Sequence, residues 1–408
     1  MLKLLCQGGQ IVFKYKKCFQ IFLVAMMLIF AISITTFTVI YIRDTSVPST
    51  DLTEPYENLT EIEPKEDEPY ENEPNKGEQY VGDLELPVIG ATGYTSVALD
   101  LKTSANLDSE TIEILEAGTA FEILQEEGDW WFVQNSTSSG WLQHKYCLIN
   151  LPDVIPSIIY DNTNTYSSRF ASSGKPIPNI TGNALYSGRT YNERLGKEEY
   201  IMPVLYSTSK KIYLAQQYAL SDGNSLKVYE AYRPHIVQKN IVNALTELAN
   251  NDSEVMAGIN TPPWSMSWFI ATTLSNHQRG GAIDLSLVKI NSQRYISIGD
   301  YTSLEITSYT EYAMPTTIHE LSVSSAVFTV PITSKSSTAW KDATLADSMN
   351  EAAILLQTYC TNAGLTPLAS EWWHFNDLDA LNETADNMSL GNYILTETYS
   401  TKPTKQVE

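Results

Sequence analysis

Ser275-Asn276-His277-Gln278-Arg279-Gly280-Gly281-Ala282-Ile283-Asp284 and, near the C-terminus, Glu371-Trp372-Trp373-His374 are the stretches on which the reading of this chain turns. His277, Asp284 and His374 supply two imidazoles and one carboxylate. Such a set holds a zinc ion and leaves a coordination position open for water. Glu371 stands three residues before the last of them and is placed to take a proton from that water. The chain contains five histidines, so two in such settings is not an effect of composition.

Hydrophobicity places elements around these motifs. Apolar spacing predicts a helix over 205–220, a strand over 226–229 that runs into Glu230-Ala231-Tyr232-Arg233-Pro234, and a second helix over 235–249. Strands are expected over 282–288, 328–332 and 368–375. A third helix is expected over 343–363, closed by Gly364. Helices mixed with a few strands, without regular βαβ alternation, indicate an α+β domain over 158–400. On strict strand alternation Glu371 and His374 would face opposite ways, so a twist or bulge is expected between them.

The chain has 408 residues and a formal charge of −22, which argues against nucleic acid as a partner. Between Asp51 and Leu86 thirteen acids face two lysines, half of the net excess. With five prolines close by, the 43–86 segment reads as an acidic linker that cannot bury enough apolar surface to fold. Before it, Phe19–Ile42 has no charged residue over 24 positions. At ~1.5 Å per residue such a helix reaches about 36 Å, enough to span a bilayer. Lys3, Lys14, Lys16 and Lys17 precede it, which puts residues 1–18 in the cytoplasm and everything after Arg43 outside. The expected location is therefore the cell membrane, through a single uncleaved span. Residues 401–408 form a short tail.

Residues 87–150 carry short β-rich runs at 94–101, 111–115, 120–126, 130–134 and 140–142, separated by turns, which suits a small all-β barrel. Leu99-Asp100-Leu101, Leu115-Glu116-Ala117-Gly118-Thr119, Asp129-Trp130-Trp131-Phe132-Val133 and Gly140-Trp141-Leu142 resemble a bacterial SH3-like domain. That resemblance implies binding of cell-wall peptides.

Tyr232-Arg233-Pro234, the Ser-x-His-x-x-Gly-x-Ala-x-Asp of 275–284 and the Glu-x-Trp-His of 371–374 stand in the order found in the vancomycin-resistance type of D-alanyl-D-alanine dipeptidase, within the zinc D,D-peptidases. The resemblance implies one zinc on His277, Asp284 and His374, Glu371 as general base, Arg233 on the scissile carbonyl or oxyanion, and Ser275 near the substrate carboxylate. It implies hydrolysis of the D-Ala-D-Ala bond, with the free dipeptide as substrate. A D,D-carboxypeptidase acting on peptidoglycan stem peptides is the alternative, and a catalytically inactive wall-binding protein a third. One departure stands out. The family's Met-Gly-Thr-x-Phe-Asp, whose acid meets the dipeptide's free amino group, is represented by Met314-Pro315-Thr316-Thr317-Ile318-His319-Glu320. A histidine occupies the acid's place.

Overall fold

The computed structural model describes residues 78–405. The expected span over 19–42, the cytoplasmic segment before it and most of the acidic linker lie outside these residues. Among the described residues no helix is long and apolar enough to cross a membrane.

Two sheets organise the chain. The first is antiparallel and runs, in spatial order, through 203–205, 147–150, 92–95, 120–127, 130–134, 139–143, 99–102 and 111–115. The run expected over 94–101 is broken: one strand ends at Thr95 and the next begins at Leu99, so the chain crosses to the other edge of the sheet. Trp131 is fully buried and its ring lies 4.7 Å from that of Tyr206. The acidic linker ends earlier than its composition suggests. Glu78–Gln79 pairs with Tyr301–Thr302, and Leu84 and Leu86 are buried. Two leucines in an otherwise polar stretch are enough to dock it.

The second sheet carries the motifs. Its central strand, Ala282–Ile298, pairs with Asn224–Glu230 on one side and, further along, with Tyr301–Glu311 on the other. The first three residues of the central strand pair with Glu371–Asn376. Helices Tyr206–Ser221, His235–Asn251 and Glu351–Asn362 surround it. The first two match the apolar spacing closely. The third begins at Glu351 rather than 343, because Asn350 caps it by accepting from Ala353 N–H at 3.0 Å. Residues 328–332 are not a strand; only Phe328 forms an isolated bridge, to Leu345.

The two sheets are physically joined. Pro203–Leu205, within the segment that follows the β-rich module, adds to the module's sheet by pairing with Leu148–Asn150. Buried Arg194 donates to the carbonyls of Pro87 (2.6 Å), Ile89 (3.0 Å) and Thr401 (3.2 Å), so one guanidinium ties two distant segments, 87–89 and the C-terminal stretch, to its own.

Candidate active site

Strand register builds most of the site. Asp284 is the cross-strand partner of Glu230 on one side and of His374 on the other. Residues directly opposite in adjacent strands share a face, so these three side chains form one row. The loop Ser275–Gly281 brings the fourth. It is wound by backbone bonds such as Gly280 N–H to His277 O at 3.2 Å and is braced by Gln278 Oε1, which accepts from Ser275 N–H at 2.8 Å. Gly280 has a φ of +75°, and a Cβ there would stand 2.3 Å from Leu148 Cδ2. Glycine lets the loop press against the β-rich module.

The expected irregularity at Glu371 is present. Pro367 pairs with Phe375 but Leu368 pairs with Glu371, so Trp372–His374 lie opposite no partner on that side. The strand bulges, and Glu371 Oε2 comes to 3.8 Å from His374 Nδ1.

His277, Asp284 and His374 each offer a ligand atom within 4.8 Å of the others, and all three are buried. Their hydrogen bonds settle which atoms face inward. His277 Nδ1 lies 2.6 Å from Ala231 O, an atom that can only accept, so Nδ1 carries the proton and Nε2 presents its lone pair. His374 Nε2 lies 3.0 Å from Asn376 Oδ1, which also accepts from Asn276 Nδ2 at 2.8 Å. His374 Nδ1 therefore presents its lone pair as well. The two inward nitrogens are 3.1 Å apart, and Asp284 Oδ1 lies 2.9 Å from one and 3.3 Å from the other. Three electron-pair donors converge with no proton between them. A divalent cation fits such a set, and the outer bonds are those that orient metal-binding imidazoles.

Burial and the neighbouring charges shift each member of the set: Asp284 and His277 toward the forms that donate an electron pair, His374 and Glu371 toward their protonated forms. Burial works against ionising Asp284, but His277, His319 and His374 outweigh it and hold its carboxyl well below the usual range. Burial pushes His277 down. Burial also lowers His374, but Asp284 and Glu371 overcome it and move that ring up. Burial raises Glu371 to about 8, with Asp284 and Glu230 adding to the shift. A bound cation would draw it down again.

The other expected residues are in place but more committed. Arg233 lines the cleft, yet Nε donates to Glu230 Oε2 at 2.7 Å, Nη2 donates to the same oxygen, and Nη1 donates to Gln238 Oε1 at 2.7 Å. Its Nη2 is also 3.3 Å from Asp284 Oδ2. One Nη1 hydrogen remains beyond these bonds. Ser275 lines the cleft too, with its Oγ accepting from His277 N–H at 3.3 Å. The cleft holds about 620 Å³ and is walled by Trp268, Trp373, Leu378 and Leu381 among others, with Arg279 and Lys335 as further cations.

Glu230, Ala231, Gln238 and Asn376 carry no motif signal of their own. Only Glu230 and Ala231 had a clue, since they run into Tyr232-Arg233-Pro234. The donor atoms of Glu230, Asp284 and His319 also lie within 4.8 Å of one another. Arg233 already supplies positive charge there, and Glu230 Oε1 is occupied by Asn164 Nδ2 at 2.7 Å.

No curated protein matches the chain. Residues 192–393, which contain Arg233, Ser275, His277, Asp284, Glu371 and His374, match the model of the peptidase M15 family, described as D-ala-D-ala dipeptidase, and so constitute a metallopeptidase domain of mixed α and β structure.

Proposed function

We propose that this protein is a zinc-dependent D,D-peptidase that hydrolyses the D-Ala-D-Ala bond, as a dipeptidase in cell-wall peptide metabolism. The observation that carries the reading is the convergence of three unprotonated donor atoms beside Glu371 in a cleft of peptide size. His277, Asp284 and His374 would hold one zinc ion. Zinc, when bound, supplies Lewis acidity that polarises the scissile carbonyl and acidifies water. Glu371 takes the water's proton at its carboxylate and returns it to the leaving amine. Arg233, kept rigid by Glu230 and Gln238, offers its remaining N–H to the carbonyl oxygen as charge develops there. Ser275 borders the place of the substrate carboxylate. Because the donor set and Glu371 are intact, an inactive wall-binding protein is disfavoured.

One observation favours a D,D-carboxypeptidase. In the segment where the family carries an acid for the dipeptide's ammonium group, His319 stands instead, and the adjacent Glu320 is committed elsewhere. Its oxygens accept from Ser173 N–H (2.5 Å), Gly174 N–H (3.1 Å) and Ser322 Oγ (2.6 Å). That segment has no free carboxylate to meet a free amino terminus. Supplying the purified protein with D-Ala-D-Ala and with a pentapeptide ending in it separates the two. Cleavage of the dipeptide supports the dipeptidase; release of D-Ala from the pentapeptide alone rejects it. Cleavage of neither, in the zinc-loaded protein, rejects both.

Residues 87–150 are proposed as an SH3-like module that binds wall peptides, and residues 19–42 as the anchor that keeps the enzyme outside the membrane. A pull-down on purified cell walls and a protease-accessibility assay on intact cells test these two readings.

A further inference from the structure

We propose that His319 is a positioning residue for Asp284, holding the outer oxygen of that carboxylate so that the inner one stays turned toward the metal position. The inference rests on the zinc reading above. His319 is completely buried, and its Nε2 lies 3.3 Å from Asp284 Oδ2. The other oxygen, Oδ1, is the one that faces His277 and His374. Oδ2 thus accepts a hydrogen bond from Arg233 Nη2 at 3.3 Å and lies at the same distance from the His319 ring, whose N–H is close to it but not aligned on it. A carboxylate held by one oxygen in this way is discouraged from rotating or binding through both.

Placing the imidazole there is unfavourable in two respects. Its backbone has a φ of +63°, a left-handed conformation uncommon outside glycine. Neither ring nitrogen has an aligned hydrogen-bond partner, which is disfavoured for a buried polar group. The ring is also clamped, stacked on Phe170 at 4.3 Å and 11° and set edge-on to Trp373 at 6.1 Å. The neighbouring backbone enforces the conformation: Ala171 N–H donates to His319 O at 3.1 Å and Leu321 N–H to Ala171 O at 2.7 Å. An apolar side chain would fill this space without the unsatisfied nitrogens. What only a nitrogen heterocycle or an amide provides is an N–H beside Oδ2. A second metal position on Glu230, Asp284 and His319 is the competing explanation, and the Arg233 charge at the same spot opposes it.

The test is equilibrium zinc binding by the full chain, measured by competition with a chromophoric chelator, together with the thermal transition of the metal-free protein. His319→Phe keeps a ring against Phe170 and removes the N–H; His319→Met is a second apolar variant; His319→Gln restores an N–H near the Nε2 position. The expected result is zinc affinity lowered about 10- to 100-fold in the Phe and Met variants, as for other outer-shell partners of metal ligands. The metal-free transition should be unchanged or raised, and His319→Gln should recover most of the affinity. Wild-type affinity in both apolar variants would overturn the proposal. So would a loss of metal-free stability in both that parallels the loss of affinity, or a wild-type stoichiometry of two zinc ions that falls to one. A wild-type protein that binds no zinc would instead overturn the functional reading on which the proposal stands.

Discussion

Asp284 and His374 are direct cross-strand partners, and the 2.9 Å between Oδ1 and Nδ1 follows from that register. Two of the three metal-binding residues are therefore specified by strand pairing. The third, His277, depends on one glycine-containing loop, and Glu371 on one bulge.

Glu371 is predicted to be dispensable for zinc and necessary for turnover. Replacing it by Gln preserves the shape of the bulge while removing the proton acceptor. The loss in kcat should be about 10²- to 10⁴-fold, with metal content unchanged. Metal analysis beside steady-state kinetics checks this, and a variant that retains full activity removes Glu371 from the chemistry.

Asn376 is predicted to matter through His374. Its Oδ1 accepts from both His374 Nε2 and Asn276 Nδ2. Asn376→Ala frees the imidazole to adopt the other tautomer, so zinc affinity should fall about 10-fold or more. Chelator competition provides the measurement. Asn376→Asp should retain affinity better than Ala, because it keeps an acceptor in place.

Gly280→Ala is predicted to destabilise the whole described unit by about 2–4 kcal/mol, from left-handed strain plus overpacking. The added carbon would meet Leu148 across the junction between the two sheets. Urea unfolding read by tryptophan fluorescence reports the change, and a midpoint equal to the wild type's would show that the loop yields freely.

Glu85 gives a pH dependence separate from the active site. Burial raises its carboxyl to about 7 against an ordinary value of 4.5, while bonds from Ser157 and Gln217 pull the other way. The folded state holds this proton more tightly than the unfolded state. Its contribution is therefore complete below about pH 4.5 and is lost as pH rises through 7. For a partly exposed side chain the loss is about 1–2 kcal/mol. Glu85→Gln cannot ionise, so its stability relative to wild type should rise between pH 5 and 8. Parallel pH profiles of the two melting temperatures would contradict this.

The site was legible in the sequence wherever chemistry needs a particular residue type at a particular spacing. His277, Asp284 and His374 assemble for that reason, and Glu371 joins them through the bulge expected from strand alternation. What composition did not reveal was contact across long separations. Glu230 stands beside Asp284 because a strand register brings it there, and His319 reaches Asp284 only once Ala171 and Leu321 are in place. The helix expected from 343 began at Glu351 because Asn350 offered a cap that outweighed the apolar pattern before it. The strand expected at 328–332 ends almost as it begins: Phe328 bridges Leu345 and Thr329 N–H donates to Thr344 O at 3.0 Å, but Pro331 has no N–H to continue the ladder.

The Arg194 clamp and the pairing of Pro203–Leu205 with Leu148–Asn150 bear on how this enzyme can be prepared. A recombinant fragment cut to 192–393 would leave Arg194 without its three carbonyls and strip the strand beneath the Gly280 loop. Such a product is expected in inclusion bodies. Expression from residue 78 through 405 retains both attachments and is a version on which the assays above are worth attempting.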